Sequence, residues 1–240
     1  MVNDVKAKWR ITILKMNQKL EKLFKSVPKG DIAILCDFDG TITNIQTLGY
    51  IFRKFAACGM DNVHRYYRGE IDMREEIRAT FETIGASKEE MEVALRNVEI
   101  EAGFLKFLDY IKDENYDFAI VSDGLDWYID YILNQYGIQY LTIFANEISF
   151  EPQGFHIGFP WFNEETPRRG VCKSMIARAY SDHFDKVVFI GDGSSDIHII
   201  HEVDVVFARG WLVGYCLGKN INHIEFKNWE ELINKWRLVF

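Results

Sequence analysis

Two rhythms of apolar residues run along the chain. Short unbroken runs occur as IAILC in 31–37, FAIV in 117–124, VVFI in 187–196 and VVFA in 204–208. Continuous apolar stretches of this length mark strands covered on both faces of a sheet. Between them the spacing turns helical: Ile77, Phe81 and Ile84 make one stripe, Met91, Leu95 and Val98 another, and Phe104, Leu108 and Ile111 a third. Gly85 stops the first of these, and Ser87 with Glu90 forms a capping box that starts the second. Helices are also predicted over 127–136, 167–180 and about 211–219, with a short one following Asp196. The segments LTIFANEISF and GFHIGF flank Pro152 and Gly154, which predicts a hairpin.

Strands alternating with helices imply an α/β fold with a Rossmann-like parallel sheet. Residues 46–100 contain no strand pattern, so they are expected to form a small helical unit inserted after the first strand. The core is then 31–45 together with 101–240. Ahead of it, Trp9, Ile13, Met16, Leu20 and Leu23 follow helical spacing until Pro28 and Gly30. Residues 1–30 are therefore expected to carry an amphipathic helix that packs on the core.

Composition narrows the function. The 240 residues are 48% hydrophobic and carry a net charge of −8. An acidic chain is a poor nucleic-acid binder. No apolar stretch reaches the roughly 18 residues of a membrane span, and the N-terminus lacks the apolar core and cleavage site of a secretory signal. Cys36, Cys58, Cys172 and Cys216 show no metal or disulfide spacing, so reduced thiols in a cytoplasmic protein are expected. The sequence does not specify the oligomeric state.

Three strands end in acidic or glycine-containing turns: DFDGT, SDG and GDGSSD. In an open α/β sheet these ends share one edge, where ligands bind. Asp37, Asp39, Asp192 and Asp196 gathered there repel one another unless a cation neutralises them. All-oxygen ligands select a hard cation such as Mg2+, which is commonly bound by one or two carboxylates plus a substrate phosphate. Ser122, Lys173 and glycine backbone N–H groups complete a cradle for a phosphoryl group. A carboxylate beside Mg2+ can attack phosphorus, and a second, two residues on, can shuttle the proton.

DFDGT, Ser122, Lys173 and GDGSSD, in that order, resemble the four motifs of the haloacid dehalogenase (HAD) superfamily. The resemblance spans about 31–210. It implies that Asp37 is the nucleophile and Asp39 the general acid/base. Mg2+ would be held by the Asp37 carboxylate, the Asp39 main-chain carbonyl and Asp192. Thr41, Ser122, Asp123 and Lys173 would bind the phosphoryl group, with Gly193 and Asp196 in support. The second aspartate distinguishes phosphoester chemistry from that of dehalogenases, which lack it. The helical insert resembles the C1 cap of the phosphoserine-phosphatase-like branch. Gln46 stands where those enzymes hold an acidic residue, which disfavours phosphoserine. Residues 154–173 and the fourth motif look more like the methionine-salvage phosphatases. Phe159, Trp161 and Phe162 are candidates for an apolar wall near the site, the alternative being a packed hairpin. Arg168 and Arg169 are candidate anion contacts, and Phe52, Phe55, Tyr66, Tyr67 and Met73 candidate substrate contacts from the cap. The expected activity is Mg2+-dependent hydrolysis of a small phosphorylated metabolite. The alternatives are phosphotransfer to an alcohol and a non-catalytic scaffold on the same fold.

Overall fold

A computed structural model describes residues 18–20, 22–24, 31–114, 116–152 and 154–240. Seven strands form one sheet in the order β4-β3-β2-β1-β5-β6-β7. They are β1 (Ile32–Cys36), β2 (Asp117–Leu125), β3 (Thr142–Glu151), β4 (Gly154–Gly158), β5 (Lys186–Gly191), β6 (Val205–Ala208) and β7 (Ile224–Glu225). All neighbours pair in parallel except β3 and β4, the antiparallel hairpin.

The unbroken apolar runs serve two layers at once. Ile32, Ile34 and Cys36 of β1, with Val188 and Ile190 of β5, face one core cluster, while Ala33, Leu35, Val187 and Phe189 face the other. Side chains alternate across a strand, so a run without polar residues is required wherever helices cover both faces. The first cluster takes in α5 (Phe104–Asp113), α6 (Asp126–Gln135) and α9 (Trp229–Val239); the second takes in α7 (Lys173–Ser181) and α8 (Gly210–Lys219).

Between β1 and α5 the chain forms only helices: α1 (Thr47–Phe55), α2 (Asp61–Tyr67), α3 (Met73–Phe81) and α4 (Lys88–Leu95). The capping box of α4 forms between Ser87 and Glu90, and Asp72 with Glu75 builds a second one at α3. The segment leaves and rejoins the core at one place. There Thr43 bridges Ile100, and Glu101 N–H donates to Ile42 O at 2.7 Å. Helix α3 also docks on the far side: Arg78 donates to Ile157 O at 3.2 Å, and Met73 N–H to Arg168 O at 3.1 Å.

Two expectations shift. The helix predicted from 167 starts only at Lys173, because the Asp123 carboxylate takes the N–H groups of Gly170 and Val171 and holds that stretch irregular. The helix expected after Asp196 is two short 3-10 turns, Ser194–Asp196 and Ile199–His201. Most of the predicted N-terminal helix lies outside the described residues. Residues 18–20 and 22–24 are helical, and Leu20 is buried in the second cluster. Among the described residues no helix is long and apolar enough to cross a membrane.

Candidate active site

Strands β1, β2 and β5 end together at one edge of the sheet, beneath the four inserted helices. A cavity of about 680 Å3 opens there, with Asp37, Asp39, Ser122 and Asp192 on the core side and Phe52, Met73 and Glu76 on the helical side. Asp37 is the first residue past β1, and its N–H is fixed on Ile190 O at 2.9 Å.

Asp37 is almost wholly buried, and its Oδ1 accepts from Lys173 Nζ at 2.7 Å. Its Oδ2 accepts no hydrogen bond from the described residues. The same ammonium donates to Asp196 Oδ1 at 2.7 Å. Burial works to lower the Lys173 pKa, but Asp196 and Asp37 outweigh it and keep the side chain protonated. Burial raises the Asp37 pKa well above the usual carboxylate range; Lys173 opposes this, and Asp196 and Asp192 add to it.

Asp39 is held at both oxygens. Oδ1 accepts from Thr47 N–H at 3.1 Å and Oδ2 from the Tyr128 hydroxyl at 2.5 Å. Burial raises its pKa, and those two hydrogen bonds offset part of the rise. The carboxyl is thus fixed in place and biased towards keeping a proton, which suits a group that must give one up and take it back.

The structure alters three readings of the phosphate-binding set. The Thr41 hydroxyl does not face the cavity; it is fully buried and donates to Asp192 Oδ1 at 3.1 Å, so it positions that carboxylate. Lys173 lies behind Asp37, off the cavity wall, because two carboxylates capture its ammonium. Asp123 lines the cavity, yet its Oδ1 accepts from Gly170 and Val171 and holds the loop leading into Lys173. A carboxylate in that role repels a phosphate rather than binding it. Ser122 does line the cavity. Its Oγ accepts from Gly124 N–H at 3.0 Å, which leaves its own proton for a ligand.

The metal expectation can be tested on the donor set. Carboxylate oxygens of Asp37, Asp192 and Asp196 lie within 4.8 Å of one another. Asp196, however, is already used by four donors: Lys173, Ser195, and the N–H groups of Asp192 and Gly193. It supports the site, while Asp37 and Asp192 have capacity to spare. The Asp39 main-chain oxygen completes the set. Gln46 Nε2 donates both to Asp39 O at 2.8 Å and to Asp192 Oδ2 at 3.3 Å, so those two oxygens converge on one small donor. Gly40 makes room for this at a φ of 82°; a Cβ there meets Gln46 Nε2 at 2.4 Å and Asp192 Oδ2 at 2.7 Å. Burial and Asp196 push the Asp192 pKa up to about 6, the signature of crowded carboxylates lacking a counter-charge. Asp37, Asp39 O and Asp192 fit a hard divalent cation.

The aromatic wall expected from Phe159, Trp161 and Phe162 is elsewhere. The Arg78 guanidinium stacks on Phe159 and that of Arg74 on Phe162, while Trp161 packs on Phe144. Phe159 and Phe162 dock helix α3 on the core. Arg169 lines the cavity, whereas Arg168 donates to Tyr66 O. Phe52, Tyr66, Tyr67 and Met73 reach the cavity and Phe55 does not. Sequence reasoning missed Thr47, Tyr128 and Glu76. Only the position of Tyr128 early in the helix after SDG hinted at its role.

A family model described as haloacid dehalogenase-like hydrolase matches residues 34–201. Similar proteins include the 2-hydroxy-3-keto-5-methylthiopentenyl-1-phosphate phosphatase of Bacillus cereus (strain B4264), 29% identical over 87% of this chain and 97% of the relative. The protein of that description from Bacillus thuringiensis (strain Al Hakam) is 30% identical over 84% of this chain and 94% of its own. Among solved structures, a phosphoserine phosphatase described as a phospho-aspartyl intermediate analogue aligns with a TM-score of 0.66 at 21% identity, covering 87% of this chain and 99% of that one. A substrate-bound phosphoserine phosphatase aligns at 0.65 and 20% identity, with the same coverage.

Proposed function

The chain belongs to the haloacid dehalogenase-like hydrolases, and from that premise we propose a Mg2+-dependent phosphatase that works through an aspartyl phosphate on Asp37. The observation that carries this reading is the Asp37–Lys173–Asp196 chain: a buried carboxylate with one oxygen anchored by a buried ammonium and the other unbonded beside an open cavity. Asp37 Oδ2 attacks phosphorus, and the bond from phosphorus to the ester oxygen breaks. Asp39 gives its proton to that leaving oxygen. A water then attacks the phosphorus of the aspartyl phosphate. Asp39 takes the water's proton, and Asp37 is released together with inorganic phosphate.

Mg2+ held by Asp37, Asp39 O and Asp192 supplies positive charge against the phosphate oxygens. Lys173 keeps Asp37 oriented, and Tyr128 with Thr47 keeps Asp39 oriented. Ser122 donates to a phosphate oxygen. The helical segment 46–100 acts as the cap, with 31–45 and 101–240 as the core; closing over the site excludes water and selects the organic group. The substrate after which the relatives are named, a phosphorylated hydroxy-keto chain ending in a methylthio group, suits a cavity whose helical side carries Phe52, Met60, Val63 and Met73. The four thiols, free in the structure, support a cytoplasmic setting.

The test is phosphate release with Mg2+ from a panel containing that substrate, phosphoserine, sugar phosphates and an aryl phosphate, with Asp37→Asn as the blank. Turnover led by the hydroxy-keto ester and absent from the variant is expected. A lead by phosphoserine overturns the substrate assignment, and turnover that survives the substitution overturns the mechanism.

A further inference from the structure

One acidic group in the cavity has a part neither in the mechanism nor in holding the core loops. Glu76 lies on α3 and lines the cavity that Asp37 and Asp39 floor. It is 4% exposed, and among the described residues no hydrogen bond or ion pair engages its carboxyl. It sits in the first turn of its helix, but the capping box there is formed by Asp72 and Glu75. On the helical side the cavity is lined by the apolar Phe52, Met60, Val63 and Met73 and by the polar Gln46, Arg53, Tyr66 and Tyr67.

A mostly buried carboxyl without a protein partner costs stability unless a ligand or water in the cavity pairs with it. The protein supplies none, so the geometry points to the ligand. We propose that Glu76 is a specificity residue, its carboxyl pairing with a carbonyl oxygen and an adjoining hydroxyl on the organic half of the phosphate ester. Burial alone pushes its pKa up to about 8, which favours the un-ionised acid. In that form it donates one hydrogen bond and accepts another, which matches a carbonyl–hydroxyl pair and mismatches a fixed cation. The inference rests on the phosphatase reading and deepens it by naming what the cap selects.

The experiment compares the full chain with Glu76→Gln and Glu76→Leu on three esters with Mg2+. Dihydroxyacetone phosphate carries a carbonyl and a hydroxyl, phenyl phosphate carries neither, and phosphocholine carries a fixed cation. Leucine cannot replace the hydrogen bonds, so it should lower kcat/KM for the hydroxy-ketone by roughly 10- to 100-fold, while glutamine, with one donor and one acceptor, stays within about 5-fold. Phenyl phosphate should change by less than about 3-fold in either variant, as it forms no such bond.

Equal losses on all three esters would mean a structural role and overturn the proposal. So would loss in both variants with wild-type preference for phosphocholine, which would assign Glu76 to a cation. Wild-type indifference to the carbonyl, or no turnover of the hydroxy-ketone, also overturns it. Phenyl phosphate turnover by Asp37→Asn would instead defeat the catalytic reading, so the two failures are distinct.

Discussion

Asp196→Asn probes the support beneath the nucleophile. Asp196 is fully buried, and its two oxygens accept four hydrogen bonds: Lys173 at 2.7 Å and Ser195 at 3.1 Å on Oδ1, and the N–H groups of Asp192 at 3.2 Å and Gly193 at 3.0 Å on Oδ2. Asparagine keeps the shape but turns one acceptor into a donor. Whichever way the amide faces, two of the four donors lose their acceptor. Bonds to a charged group contribute about 1.5–3 kcal/mol each, so the gross loss is about 3–6 kcal/mol. Against this, removing the charge relieves repulsion on Asp37 and Asp192, since Asp196 raises the pKa of both. The relief offsets part of the loss, and a net destabilisation of about 2–3 kcal/mol is expected at pH 7 without metal. Urea unfolding followed by circular dichroism should show a lower midpoint with an unchanged slope. The turnover number should fall as well, because Lys173 loses the charge of one of its two carboxylate partners. Stability within about 0.5 kcal/mol of wild type, the usual range for an unimportant substitution, together with normal turnover, would refute the reasoning.

Other outcomes follow from the same contacts. Tyr128→Phe removes the 2.5 Å hydrogen bond to Asp39; kcat should drop about 10- to 100-fold on an alkyl phosphate that needs leaving-group protonation, and much less on p-nitrophenyl phosphate. Gly124→Ala places a Cβ 1.9 Å from the Tyr128 hydroxyl, so it should destabilise the protein by about 1–3 kcal/mol and lower activity, read by thermal melting and phosphate release. The Asp192 pKa is raised to about 6 in the folded state from 3.8, so the folded form holds this proton more tightly than the unfolded one. Stability from this group is therefore lost as pH rises from about 4 to 6, by about 3 kcal/mol in total. Metal-free protein should melt lower at pH 7 than at pH 5, Asp192→Asn should flatten that difference, and Mg2+ should raise the melting temperature at pH 7.

The fold was legible where one physical signal dominated. The runs at 32–36 and 187–190 had to be central strands, because nothing else buries both faces of an extended chain. The Ser87–Glu90 box marked α4 by local chemistry alone. Helix α9 was missed, although Trp229, Leu232, Ile233 and Trp236 follow helical spacing and Asn228 caps it by accepting from Glu231 N–H. That helix contributes to the site, since Trp229 Nε1 donates to Thr41 O at 3.0 Å.

The site was legible as a set of residues but not as a set of contacts. Motif spacing gathered Asp37, Asp39, Ser122 and Asp192 on one cavity wall. It did not reveal that Thr41 and Lys173 turn away from the cavity, because those directions depend on carboxylates that are 151 and 136 residues distant in sequence. Thr47, one of the two partners of Asp39, and Glu76 emerge only once the inserted helices have been laid over the sheet.

The most direct test of the central claim is a rapid-quench single turnover with a 32P-labelled phosphate ester and Mg2+, followed by proteolysis and peptide sequencing. The account predicts acid-stable, base-labile label on the peptide containing Asp37, and none in Asp37→Asn. Turnover without label on that peptide, matched by hydrolysis in the variant, would contradict it.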